Sequence, residues 1–75
     1  MWKVTIQCSA DSWKTSSTVF KSIVEQYPLE LLSSKKMKGD ETRIMEYQIE
    51  NVSEAEDFIA ECMALSGFTG NFESA

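Results

Sequence analysis

The sequence contains no histidine, one proline, three glycines and no basic residue after Arg43. Without histidine it lacks the side chain that most often acts as a general base and that commonly binds zinc. The two cysteines, Cys8 and Cys62, are far apart, and neither has a second cysteine within four residues. We therefore expect no catalytic residues, no metal site and no cofactor, and we interpret both cysteines as small apolar side chains of the core.

Long apolar segments are also missing, because no run of apolar residues exceeds four. A helix that crosses a bilayer needs about 20 such residues in succession. Met1 leads directly into an alternating segment and not into the apolar stretch of a signal peptide. These features predict a cytoplasmic protein that does not associate with membranes.

The first half of the sequence has the pattern of a strand followed by a helix. Apolar residues alternate with polar ones from Trp2 to Cys8, as in a strand with one buried face. Asp11 or Ser12 is then placed to cap a helix that ends before Pro28. The core side of this helix is predicted from residues that recur at spacings of three and four: Trp13, Ser16, Phe20, Ile23, Val24 and Tyr27.

The second half predicts a hairpin, a helix and a last strand. An extended stretch from Leu29 toward Met37, a turn over residues 38–41 and an alternating stretch from Arg43 to Ile49 form the hairpin. The run from Ser53 to Glu56 has the spacing of a capping box, so the second helix is expected to begin there, and Gly67 is placed to end it. The fourth strand is predicted from the alternation of Phe68, Gly70 and Phe72 with polar residues.

The resulting order βαββαβ predicts one domain over residues 1–75. Two right-handed crossovers, each carrying a helix, place both helices on one face of a four-stranded antiparallel sheet. We therefore predict the α+β ferredoxin-like plait. This fold hosts many unrelated functions, so the function has to be argued from individual residues.

Binding of nucleic acid is disfavoured by the predicted open face of the sheet. RNA-binding plaits stack bases on aromatic side chains of this face. In addition, the net charge of −5 of this chain would repel the phosphates of a nucleic acid. The residues predicted to lie there include no aromatic: Lys3, Thr5, Gln7, Ile44, Glu46 and Gln48.

The acidic residues are concentrated late in the chain, where 32 residues after Arg43 carry seven carboxylates and no base. Spacings of four, three and four place four of them on one face of the second helix and the segment before it: Glu50, Glu54, Asp57 and Glu61. In a structural interpretation Glu54, Glu56 and Asp57 complement the positive N-terminus of the helix, and Lys14 and Lys21 of the first helix reach across to the acidic residues. In a functional interpretation the face binds a protein partner with a basic surface. We predict a non-enzymatic protein-interaction or regulatory module that uses this face.

The alternative function is a small-ligand-binding domain that forms a homodimer through its sheet. Its site would lie between the first strand and the first helix, at Gln7, Ser9, Ser12 and Lys14, where a helix start attracts anions. Leu32 and Ile44 are the apolar residues predicted on the open sheet face, where a dimer would form. Four basic residues cluster around the hairpin: Lys35, Lys36, Lys38 and Arg43. Lysines on an exposed edge strand discourage pairing with the sheets of other molecules, and this explanation is simpler than a specific contact with an anion or a phosphate.

Overall fold

The computed structural model describes residues 1–36 and 42–74, and its elements follow the predicted order βαββαβ. The sheet is antiparallel with the strand order β2-β3-β1-β4. The predicted turn over residues 38–41 lies outside the described residues, as does Lys38 of the basic group. The bounds of the elements are β1 Trp2–Cys8, α1 Ala10–Glu25, β2 Glu30–Lys36, β3 Arg43–Ile49, α2 Val52–Met63 and β4 Phe68–Ser74.

The alternation of the strands divides the sheet into a core face and an open face, as predicted. Val4 and Ile6 of β1 are buried, and their partners on β3 are Tyr47 and Met45, which are also buried. Residues directly opposite each other on antiparallel strands share a face, so these pairs form the floor of the core. Every aromatic residue of the chain lies in this core or packs against it, and the open face of the described strands therefore has none.

Phe20 of α1 connects the layers of the core. Its ring centroid lies 5.5 Å from that of Phe68, 6.3 Å from that of Phe58 and 6.4 Å from that of Tyr47. These three rings belong to β4, α2 and β3, and offset or tilted ring pairs at such distances are favourable. A single side chain thus joins both helices to the sheet.

No helix in the described part of the chain has the length and apolar character needed to cross a membrane.

Both helix starts differ from the sequence prediction. The N-cap of α1 is Ser9, whose Oγ accepts the N–H of Ser12, and not Asp11 or Ser12 itself. The N-cap of α2 is Asn51, whose Oδ1 accepts the N–H groups of Ser53 and Glu54 at 2.8 and 3.4 Å. In each case the first suitable residue after the end of a strand caps the helix, because the chain has to turn out of the sheet there.

Gly67 does not end α2, since this helix stops at Met63 with Ala64 as its C-cap. It lies in the loop before β4 with φ +80°, a conformation that glycine adopts without strain. A Cβ at this position would lie 1.9 Å from Ser12 Oγ, so Gly67 also allows the loop to pack closely on the start of α1.

Strand β2 contains a β-bulge that the sequence did not predict. Leu31 lies opposite Tyr47 and Ser33 lies opposite Glu46, so Leu32 is the additional residue. The register places Leu31 on the core side of the sheet, yet it is 57% exposed because β2 is at the sheet edge. Bulges are common on edge strands, where they hinder pairing with another chain.

Replacing the two candidate caps of α2 separately tests the observed helix start. Asn51→Ala should lower the free energy of unfolding by about 1 kcal/mol, because two N–H groups lose their acceptor. Ser53→Ala, the matched control, should change it by about 0.5 kcal/mol or less. Urea unfolding of both variants measures the difference. An equal loss for Ser53→Ala would contradict the assignment of Asn51 as the cap.

Gly67→Ala should be strongly destabilising. The positive φ alone costs about 1–2 kcal/mol for a residue with a Cβ, and the contact with Ser12 Oγ adds to this. Ser12→Ala removes that oxygen, so the double variant should lose less stability than the sum of the two single variants. Denaturant unfolding of the four proteins of this cycle measures the coupling. Strict additivity would show that Gly67 does not pack on Ser12.

Candidate functional site on helix α2

The four predicted partner-binding residues, called here the acidic face, lie together on the surface around α2. Helix α2 buries Ala55, Phe58, Ile59 and Cys62, and this orientation leaves Asp57 and Glu61 exposed. Glu54 is half-buried, and Glu50 is exposed in the bend before the helix. Among the described residues the only ion pairs are those of Lys3, so no cation neutralises the acidic face there.

Tyr27, which follows α1, contacts the acidic face through Glu61. The Tyr27 hydroxyl donates a hydrogen bond to Oε2 of Glu61, and its ring packs edge-on against Phe58 with 5.6 Å between centroids. The hydrogen bond to Glu61 raises the pKa of Tyr27 to about 12, and burial and the charges of Glu61 and Asp57 act in the same direction. The sequence identified Tyr27 only as a core residue, because the two partners are 34 positions apart.

A pocket of about 450 Å³ lies at the N-terminal end of the acidic face. Glu50 and Glu54 line it together with Glu30 of β2, and none of the described residues that line it is a lysine or arginine. Its remaining walls come from the loop before β2, the ends of β1 and β3, and the cap of α2: Met1, Pro28, Gln48, Ile49 and Asn51. The described residues contain no cluster of acidic residues or cysteines suited to a metal ion. The described lining of the pocket thus includes three carboxylates.

The lysines of α1 do not form ion pairs with this face within the described chain. Lys21 Nζ lies 5.9 Å from the ring centroid of Trp13, where it lines a groove toward β2. Lys14 is exposed and forms no ion pair with the described residues. Within the described chain Lys14 and Lys21 therefore do not pair with the acidic residues as the structural interpretation expected.

The residues of the alternative ligand site lie in two places. Ser9 Oγ donates a hydrogen bond to Ser12 Oγ at 3.0 Å, beside Gly67. Gln7 is exposed on the open face of the sheet, opposite Ile44 and Thr69, away from these serines. A small pocket of about 160 Å³ adjoins Ser12 but is not lined by Gln7, Ser9 or Lys14. This ligand site stays a prediction.

Both cysteines are free and buried. Burial raises the pKa of the Cys8 thiol, and burial together with the charge of Glu61 raises that of Cys62 to about 12. A nucleophilic cysteine needs a low pKa and some exposure, so neither thiol has the required environment. They serve as core side chains.

The open face of the sheet carries a row of polar contacts across all four strands. Lys3 Nζ of β1 lies 3.1 Å from Glu73 Oε1 of β4 and 3.3 Å from Glu46 Oε2 of β3. Ser33 Oγ of β2 donates to Glu46 Oε1 at 2.7 Å. The hydrogen bond from Ser33, followed by that from Lys3, lowers the pKa of Glu46. Lys3 is thus paired on the open face and does not offset the acidic face.

Comparison with known proteins identifies the fold. No protein-family model and no curated protein matches the sequence. The solution structure of the C-terminal domain of the MgtC protein from Mycobacterium tuberculosis is similar, with a TM-score of 0.68, 12% identity, and coverage of 99% of this chain and 85% of that one. The crystal structure of the ACT domain from GTP pyrophosphokinase of Chlorobium tepidum is also similar, with a TM-score of 0.64, 8% identity, and coverage of 96% of this chain and 95% of that one. The predicted ferredoxin-like fold is confirmed.

The contact between Tyr27 and Glu61 should be visible in a pH titration. Tyr27 should titrate near pH 12, and Glu61→Gln should lower its pKa toward the ordinary value of about 10, because the hydrogen bond to a carboxylate and the neighbouring charge are both lost. Asp57→Asn, the control, should lower it less. The ¹³C NMR shift of the tyrosine Cζ atoms follows each phenol separately.

The same shift sets the pH range over which this contact stabilises the fold. The folded-state pKa lies above the unfolded one, so the contribution is complete below about pH 10 and is lost as the pH rises toward 12. A wild-type Tyr27 that titrates near pH 10 would contradict the hydrogen bond.

Proposed function

We propose that this protein is a regulatory or protein-interaction module that works by binding and not by catalysis. Its acidic face binds a basic surface of a partner protein. The observation that carries this proposal is the set of four neighbouring carboxylates, Glu50, Glu54, Asp57 and Glu61, with no ion-pair partner among the described residues.

The needs of the helix explain only part of this arrangement. Glu54 lies in the first turn of α2, where a carboxylate favourably interacts with the positive end of the helix dipole. Glu61 lies near the opposite end, where a negative charge is unfavourable and no basic residue occurs, although Tyr27 binds one of its oxygens. Asp57 is exposed and forms no hydrogen bond or ion pair with the described residues. Its charge therefore supports a role in binding.

An acidic surface of this kind acts mainly on the rate and the specificity of association. Complementary charge steers a basic partner toward the correct orientation, and the effect weakens as salt screens it over about 10 Å at 0.1 M. The pocket lined by Glu30, Glu50 and Glu54 has room for a lysine or arginine side chain of the partner at one end of the face. Binding that depends strongly on salt is thus expected.

The two similar structures are compatible with a regulatory role. Each is a domain of a larger protein, the MgtC protein in one case and GTP pyrophosphokinase in the other. The similarity at 12% and 8% identity supports the fold alone, and the partner has to be identified by experiment.

Charge reversal on the two sides of α2 tests the proposal. Asp57→Lys changes a residue of the acidic face, and Glu56→Lys changes its exposed neighbour, which is 100° further around the helix. Affinity capture from a lysate of the source organism, with mass spectrometry, should find a partner that Asp57→Lys loses and Glu56→Lys retains. With the purified partner, Asp57→Lys should weaken binding by about tenfold or more at low salt.

The two variants carry the same change in net charge, so a general charge effect would alter both equally. Equal capture by the wild type and both variants, or equal loss in both variants, would contradict the acidic face as the binding surface. Circular dichroism confirms that each variant is folded.

A further inference from the structure

A second surface lies between α1 and the edge strand β2, and it shares no residue with the acidic face. It is a groove of about 320 Å³ whose surface is mostly apolar. The apolar side chains that line it come from α1, β2 and β3: Trp13, Phe20, Val24, Leu31, Met45 and Tyr47.

The groove exists because β2 is at the edge of the sheet and Leu31 is left uncovered there. Leu31 lies opposite Tyr47 in the register, on the side of the sheet that carries the helices. Tyr47 is buried, whereas Leu31 remains 57% exposed at the mouth of the groove. An apolar molecule in the groove would remove Leu31 from water without any change in the fold.

The two cations beside this groove lie near the ring of Trp13. Arg43 Cζ is 4.8 Å and Lys21 Nζ is 5.9 Å from the ring centroid of Trp13. Neither forms an ion pair with the described residues. Among the described residues that line the groove, Glu25 is the one carboxylate; it lies four residues after Lys21 and twelve residues, or about 18 Å along the helix, after Trp13. The cationic groups of Lys21 and Arg43 thus lie at the Trp13 end of the groove.

We propose that this groove binds a small amphiphilic carboxylate. Its apolar body lies against Val24, Leu31 and Met45, and its carboxylate lies at the Trp13 end near Lys21 and Arg43. The chemistry follows from the charges: a cation would meet two positive groups that have no ion-pair partner among the described residues, and a purely polar anion would leave the apolar surface exposed. Small-ligand sites typically combine an apolar lining with a few charged groups that orient the ligand.

Strand addition by an extended peptide fits the same groove less well. The bulge at Leu32 interrupts the regular register of β2, and Lys35 lies exposed on the same strand. Both features hinder the pairing of an edge strand with another chain. A compact ligand needs no backbone pairing.

The probe for this proposal is 1-naphthoate, compared with 1-naphthylmethanol and 1-naphthylmethylammonium, which share the ring and differ in charge. In ¹H–¹⁵N NMR titrations, naphthoate should give saturable shifts of amides around Trp13, Leu31 and Met45. The alcohol should bind more weakly, and the ammonium compound should bind at least about tenfold more weakly than naphthoate, because it meets Lys21 and Arg43.

Two variants separate the apolar contribution from the charge contribution. Leu31→Ser should weaken naphthoate and the alcohol alike, by about fivefold, because both lose the same apolar contact. Arg43→Gln should weaken naphthoate only and bring its affinity close to that of the alcohol. Met63→Ser, the control, changes a 54% exposed apolar residue on α2 and should have no effect. Asp57→Lys should leave naphthoate binding unchanged, so this test is independent of the acidic face.

The absence of saturable shifts at millimolar naphthoate would overturn the proposal, as would equal affinity for the ammonium compound. If naphthoate fails and an acidic, leucine-containing peptide shifts the same amides, the groove binds peptides and the assignment to a small carboxylate is wrong. Shifts that cluster elsewhere, or that Met63→Ser reduces as much as Leu31→Ser does, would also contradict it.

Discussion

The packing of Phe20 between the helices and the sheet is the interaction on which the other features depend. Its ring contacts rings from β3, α2 and β4, and it is almost fully buried. A domain of this size has one small core and buries only about 60% of the surface of its unfolded chain. Concentrating the aromatic residues on one side of one sheet is a way to obtain enough buried apolar surface.

The same arrangement decides which surfaces remain for binding. With every aromatic residue on the core side, the open sheet face keeps polar side chains, among them the paired Lys3 and Glu46. The acidic face on α2 results from charges that the core does not need, and Tyr27 fixes Glu61 within it. The groove beside Leu31 results from the edge position of β2. The two surfaces differ in charge and in apolar character, and we therefore propose a different class of ligand for each.

The sequence predicted those parts of the fold that depend on periodicity. Alternation identified the buried residues of β1 and β3, because side chains of a strand point to opposite faces in turn. The spacing of Asp57 and Glu61 predicted a common face for the same kind of reason. The caps were harder to predict, since Ser9 and Ser12 are equally suitable by type, and the end of the preceding strand decided between them.

Other parts of the candidate site had no local signal. Tyr27 and Glu61 are 34 residues apart, and only the packing of the segment after α1 on α2 brings them together. The bulge at Leu32 depends on the register between β2 and β3, which the sequence of β2 does not specify. Local sequence by itself determined the elements, their buried faces and the grouping of acidic residues, because these depend on neighbours two to four positions away. Tertiary structure decided which charges are paired, which phenol contacts a carboxylate and which leucine stays exposed, because these depend on contacts between distant segments.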